Sequence, residues 1–499
     1  MTTNTLRRAL SRTILALAIT VSVCSCSNDA VELLRTVPSS AKAVVTMDLS
    51  RLLEESGITI DKENVKLPNE LALLSSQIPQ DIQTAVADVY NSIDASNLVI
   101  FAMGDREEET VVTFNITDPS RLQKQTEGLP TEQMEGFTVY DLDGALLATG
   151  SDGQGWITSD YSKAISQLRK WLDTATEKNI ADNKGLTAVL SERNAVNGVA
   201  DFSNSFISGY WAAFSGNINH SKAELRMQVI NEDGEVMSLD KTEMLAPIDT
   251  DALEYAPGNT VAAAAIGFNP SFDWNKLSTL AMMGGMRSSA LSVAAGVLNA
   301  LDGTVTVSAA PRTDKSFDWG HCDVSDWTVT ATAQIHENDA SSLMSQLKML
   351  AMMAGSNTSS TGSDSFAFDL NKLCRVYVSH EDGMILAGIN APTAKHSNDL
   401  GSIMADKYAG AIVRLPRLRD VFSELPFDFG VRLSYMLEND ALVISAEVTD
   451  TSKSLMDCIF SVMAYAYQQS VGDFSALADQ DYADVEEVDV QDLPANLLP

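Results

Sequence analysis

Apolar and polar residues alternate in "TVVTFNIT" (110–117), which sends Val112, Phe114 and Ile116 to one face and predicts a strand. The apolar "NLVIFAMG" (97–104) lies just before it across the charged turn "DREEE", so the two predict an antiparallel pair. Asp-Gly recurs at 143–144, 152–153, 233–234, 302–303 and 382–383, and this dipeptide tolerates the positive φ of a type I′ turn. Hairpins are expected there. Elsewhere the period lengthens. In "SDYSKAISQLRKWL" (159–172), Ser159 or Asp160 suits an N-cap, and Tyr161, Ile165, Leu168 and Leu172 form one helical stripe. "SSLMSQLKMLAMMAG" (341–355) predicts a second helix, with Leu343, Leu347 and Leu350 on the face that lies across a sheet and Gly355 at its end. The small, polar "GSNTSSTGSDS" (355–365) predicts a loop.

The pattern repeats. "VPSSAKAVVTMDLSRLL" (37–53) has a counterpart in "YAPGNTVAAAAIGFNPSF" (255–272), and "VYNSIDASNLVIFA" (89–102) in "VLNALDGTVTVSAA" (297–310), which aligns Asp94 with Asp302. "VTFNITDPSRL" (112–122) matches "ATAQIHENDASSL" (331–343), and "VYDLDGALLATG" (139–150) matches "VSHEDGMILAGI" (378–389). Four matches in one order predict two diverged copies of one unit, joined near 245–256.

The chain starts with Arg7, Arg8 and Arg12 and then an apolar run from about Ile14 to Val23, the order of a secretory signal. That run is shorter than the roughly 20 residues of a spanning helix. Val23-Cys24-Ser25-Cys26 resembles the lipobox of bacterial lipoproteins, with Cys26 as the lipidated residue. The resemblance implies a mature chain beginning at an acylated Cys26, and Ser27 in place of Asp favours the outer membrane. Several acyl chains together anchor firmly where one does not.

Formal charge is −33. Loss of residues 1–25 takes three arginines and no acids, leaving 31 basic against 67 acidic residues, or −36. Such a surface repels phosphate backbones, so nucleic acid is excluded as a partner class. The 499 residues and ordinary apolar fraction support a large core. Besides the lipobox, Cys322, Cys374 and Cys458 stand far apart without a CxxC, which supports neither a zinc ribbon nor a redox motif. Buried thiols are the simpler reading, with a Cys322–Cys374 bridge as the alternative.

Met282, Met283, Met286, Met344, Met349, Met352 and Met353 are the densest chemical bias, with "LAMMGG" echoed by "LAMMAG". They read as packing, or as a deformable partner surface at Met282, Met283, Met286, Met349, Met352 and Met353. Soft-metal capture would need convergent His or Cys, which do not flank these runs. His321-Cys322-Asp323 could converge on an ion only from a loop, and otherwise belongs to a long hairpin turn. "GSDGQG" (150–155) lies between strands, so it reads as a turn rather than a phosphate cradle. Asp141 with Asp143, and Glu107 to Glu109, are acid pairs of a kind expected by chance in so acidic a chain. No G-x-S-x-G nucleophile motif occurs. Tyr210, Trp211 and Phe214 could stack on a sugar but fit a core strand better.

The lipobox, the early "VPSSAKAVVTMDLSRLLEESGI" segment and the two-copy layout together resemble uncharacterised lipoproteins of Bacteroidota-type bacteria, a domain-of-unknown-function group. That resemblance supplies no catalytic residues. The expectation is an α+β protein of two related halves, each a mainly antiparallel sheet with helices on one face. Residues 1–25 form the signal, 26–245 and 246–475 the two repeats, and 476–499 an acidic tail. No catalytic, cofactor or metal set emerges. The expected role is non-catalytic binding or scaffolding of a protein or glycan partner at the outer membrane. A hydrolase whose site assembles only in the fold is the alternative.

Overall fold

A computed structural model describes residues 30–466 apart from 63, 72–77, 105, 107–108, 202–208, 239–243, 273–298, 354–355, 371–373 and 439. Cys26, Met282, Met283, Met286 and the acidic tail lie outside the described residues. The fold is α+β, built on one large antiparallel sheet.

The chain enters through helix α1 (Ala30–Leu34), strand β1 (Ala43–Met47) and helix α2 (Leu49–Glu55). A small separate hairpin, β2 (Thr59–Ile60) and β3 (Val65–Lys66), leads to helix α3 (Gln80–Tyr90). Then come β4 (Ile93–Ala102), β5 (Thr110–Ile116), helix α4 (Pro119–Thr126), β6 (Thr131–Met134), β7 (Phe137–Asp141), β8 (Ala145–Thr149) and β9 (Gln154–Ser159). Helices α5 (Ala164–Glu177) and α6 (Lys184–Leu190) precede β10 (Val196–Asp201), β11 (Tyr210–Ile218) and β12 (Lys222–Asn231).

The second half runs β13 (Ala262–Gly267), β14 (Leu301–Pro311), β15 (Trp327–Ile335), helix α7 (Ala340–Met353), β16 (Thr358–Gly362), β17 (Ser365–Asp369), β18 (Arg375–Glu381) and β19 (Met384–Ile389). It continues with helix α8 (Leu400–Met404), β20 (Ala409–Leu415), helix α9 (Leu418–Val421), β21 (Gly430–Glu438) and β22 (Ala441–Thr449), after which residues 455–466 are helical.

Across the sheet the order is β6-β7-β8-β9-β5-β4-β1-β10-β11-β12, then β22-β21-β20-β13-β14-β15-β19-β18-β17-β16. Antiparallel pairing of β12 with β22 joins the two runs, with Leu225 opposite Ile444. Both β4 and β14 break register near their starts, between Ile93 and Leu98 and between Leu301 and Val305.

Helices cover both faces of the first half, not one as the sequence pattern suggested. On one face, Leu33 and Leu34 of α1, Leu168 and Trp171 of α5 and Leu186 of α6 pack on Val44, Val99, Phe101 and Val111. On the other, Leu49 and Leu52 of α2 and Leu122 of α4 pack on Met47, Leu98 and Phe114. The reason lies in the strands. Central strands such as "NLVIFA" are apolar at successive positions, so both of their faces need cover.

Several local expectations shift. Helix α5 starts at Ala164 with Lys163 at its N-cap, because Ser159 is spent in β9, and Trp171 rather than Leu172 joins Ile165 and Leu168 on its buried face. Helix α7 buries Ala340, Leu343 and Ala351, with Met344 and Leu347 packed beside them, while Leu350 is exposed. The polar 355–365 segment contains edge strand β16, which needs only the backbone of β17 for its ladder and leaves its side chains exposed. Asp143-Gly144 and Asp382-Gly383 have positive φ and close hairpins as expected. Asp302-Gly303 closes none: it is the bulge in β14.

Candidate apolar binding site

The first-half sheet and the helices α2, α3 and α4 enclose a cavity of about 140 Å³. Its floor is two rows of cross-strand neighbours. Ile100, Val112, Ile157 and Leu147 stand side by side on β4, β5, β9 and β8. Met47, Leu98 and Phe114 form the next row, which ends at Gly155. A β-carbon at Gly155 would stand 2.5 Å from the Phe114 ring, so glycine there lets the ring lie flat across β9.

Leu49 and Leu53 of α2, Ile82, Ala85, Val86 and Val89 of α3, and Leu122 of α4 form the roof. On α3 these recur at helical spacing, so the same face that makes the helix amphipathic supplies the lining. Asp118 starts α4 by accepting from the Ser120 and Arg121 backbone N–H groups, with Pro119 in the first turn. A polar tie then fixes α4 to α3. Buried Asp88 accepts from Lys124 Nζ at 2.9 Å and Gln125 Nε2 at 2.7 Å, and Arg121 Nη1 stands 3.5 Å away.

The roof does not fill the space beneath it. Ile100, Val112 and Ile157 are only half-buried although they sit mid-sheet under helices. In a close-packed interior such side chains lose nearly all exposure. Three polar residues touch the lining. Gln125 is committed to Asp88, and the Thr126 hydroxyl donates to Leu122 O. Tyr90 remains at the end of α3, where burial first, and then the charges of Asp48 and Glu54, push its phenol pKa up. Among the described residues the lining therefore offers carbon surface, with no acid pair or ligand set.

The other sequence candidates separate. Met349, Met352 and Met353 are exposed on α7. His321, Cys322 and Asp323 lie on two short 3₁₀ turns in the β14–β15 connection, where His321 pairs with Asp318 and Asp323 caps the second turn. Among the described residues no group of three His, Cys, Asp or Glu side chains converges on a metal position. Cys322, exposed, and Cys374, buried, each carry a thiol rather than a shared bridge. Asp141 accepts from the Asp143 N–H inside a hairpin turn, and Trp211 is a core residue. Among the described residues no helix is long and apolar enough to cross a membrane.

Sequence reading passed over the cavity. The signal was there in "IPQDIQTAVADVYNSI" (78–93), where Ile82, Val86, Val89 and Ile93 mark one apolar stripe.

No family model matches the chain, and no curated protein matches it. Solved structures that share some likeness include crystal form IV of TP0453, at 9% identity over 39% of this chain and 79% of that one, with a TM-score of 0.26. Crystal form I of TP0453 is 8% identical over 74% of this chain and 95% of that one, with a TM-score of 0.20. Likeness of that size assigns no function.

Proposed function

We propose that this chain is a lipid-anchored envelope protein of two related copies, held at the outer membrane through Cys26, that works by binding rather than by catalysis. The cavity under α2, α3 and α4 carries this reading: its lining is carbon, and its few polar groups are committed or peripheral. A site for hydrolysis would set a nucleophile or acid pair beside a base in its recess. Apolar recesses with few polar groups suit retention of a ligand.

Two observations support the copies. Read from either edge to the centre, corresponding strands of the two halves take the same places, as β4 and β14 do. The register breaks in β4 and β14 fall at matching points, next to Asp94 and Asp302. One of the four sequence matches sits a strand off: β7–β8 was aligned with β18–β19, whose place in the sheet corresponds to β8–β9. The lipobox resemblance at Cys26 supports the anchor, and Ser27 after it supports the outer-membrane location.

The test is recovery from the native membrane. Cys26→Ala should free the chain from membranes. Protein extracted in mild detergent should release its bound ligand chemically unchanged after prolonged incubation. Continued acylation of the Cys26→Ala chain would remove the anchor, and steady conversion of the ligand to product would replace binding with catalysis.

A further inference from the structure

We propose that the first-half cavity holds the end of a single hydrocarbon chain belonging to a lipid. This ligand class rests on the binding role proposed above and narrows it.

Size comes first. At about 140 Å³ the space is close to an engineered apolar cavity of about 150 Å³ that stays dry and takes up benzene. It accommodates the end of one chain, not a whole two-tailed lipid. Shape comes next. Ile100, Val112 and Ile157 line up across three adjacent strands and keep partial exposure, so the unfilled space follows a row rather than a compact knot. A linear chain matches that row.

Chemistry excludes the other occupants. A water in the cavity needs two to four polar partners, and the lining holds Gln125 and Thr126 in other bonds. A sugar or peptide backbone would bring polar groups into the same carbon surface at a desolvation cost. Methylene groups bring none, and each one buried strengthens binding roughly fourfold.

The experiment uses the mature chain carrying Cys26→Ala, purified and stripped of lipid. The uncharged fluorophore N-phenylnaphthylamine should brighten on binding one site per chain. Monolauroylglycerol should displace it, and monoacylglycerols of shorter chain should do so progressively less well. Ile157→Trp and Val86→Trp fill the row from floor and roof respectively, and Val112→Phe does so more mildly. Any of these that keeps the native circular dichroism should weaken both ligands at least tenfold, whereas Met353→Glu on α7 should change neither.

A wild-type chain that never brightens the fluorophore, or folded filled variants that bind it unchanged, would overturn the cavity assignment. A chain that refuses these probes yet leaves native membranes with some other unchanged ligand keeps its binding role and loses this ligand class.

Discussion

Phe114 lies across Gly155 on the neighbouring strand, so close that a methyl group at position 155 would stand 2.5 Å from the ring. Gly155→Ala should therefore push the ring toward the roof. Overpacking of this kind typically costs about 1–3 kcal/mol. Urea denaturation should show that loss, and apolar probe binding should weaken with it. An unchanged midpoint would mean that the ring has room to move elsewhere.

Asp88 ties the roof together. It stands buried among Lys124, Arg121 and Gln125, which reach it from α4. Lys124 is largely exposed, so its share is modest. Asp88→Asn should cost about 1–2 kcal/mol, the scale of a charge-assisted hydrogen bond at a half-open site. Amide exchange should speed up in α3 and α4 while α5, on the opposite face, stays protected.

The β14–β15 connection should respond to acid. Backbone N–H of Gly320 first, and then His321, hold the Asp318 carboxyl below its usual pKa, while backbone N–H of Asp323 and then Lys315 do the same for Asp326. Both groups are depressed in the fold, so their contribution is present above the ordinary carboxylate pKa and is lost as pH falls through the lowered values, below about 4. Phe317, Trp319 and Trp327 pack edge to face in this segment. The indole NMR signals of Trp319 and Trp327 should shift together in that range, before those of core Trp156 and Trp171. Simultaneous change in all four would point to global unfolding instead.

Exposure orders the reactive sulfurs. Met353, Met463, Met352 and Met349 are 76%, 53%, 52% and 50% exposed, against 0% for Met404 and 2% for Met47. Dilute peroxide should oxidise these four first, as peptide mass spectrometry would report. Among the described cysteines, Cys322 should react with a thiol reagent in the native state, and Cys374 and Cys458 only after unfolding. Early modification of Met404 would mean that its cover opens readily.

Local chemistry was legible in the sequence where one residue type decides the geometry. Asp143-Gly144 and Asp382-Gly383 announced their turns, and the alternation around Phe114 announced β5. The same dipeptide misled at Asp302-Gly303, since a positive φ serves a bulge as well as a turn. Strand β16 was hidden because an edge strand can pair through its backbone with no apolar pattern at all. Helix α7 shows the limit of periodicity. Its apolar residues run nearly all round, so the sequence could not tell buried Leu343 from exposed Leu350. The cavity was the least legible, because it depends on how far Ile100, Val112 and Ile157 fall short of the helices above them.

Direct contact between a lipid chain and the cavity floor is the most telling measurement. With methyl-labelled isoleucine and valine, monolauroylglycerol should give intermolecular NOEs from its terminal methylenes to Ile100, Val112 and Ile157. NOEs confined to the exposed methionines of α7, or an absence of contacts at saturating lipid, would contradict an occupied first-half cavity.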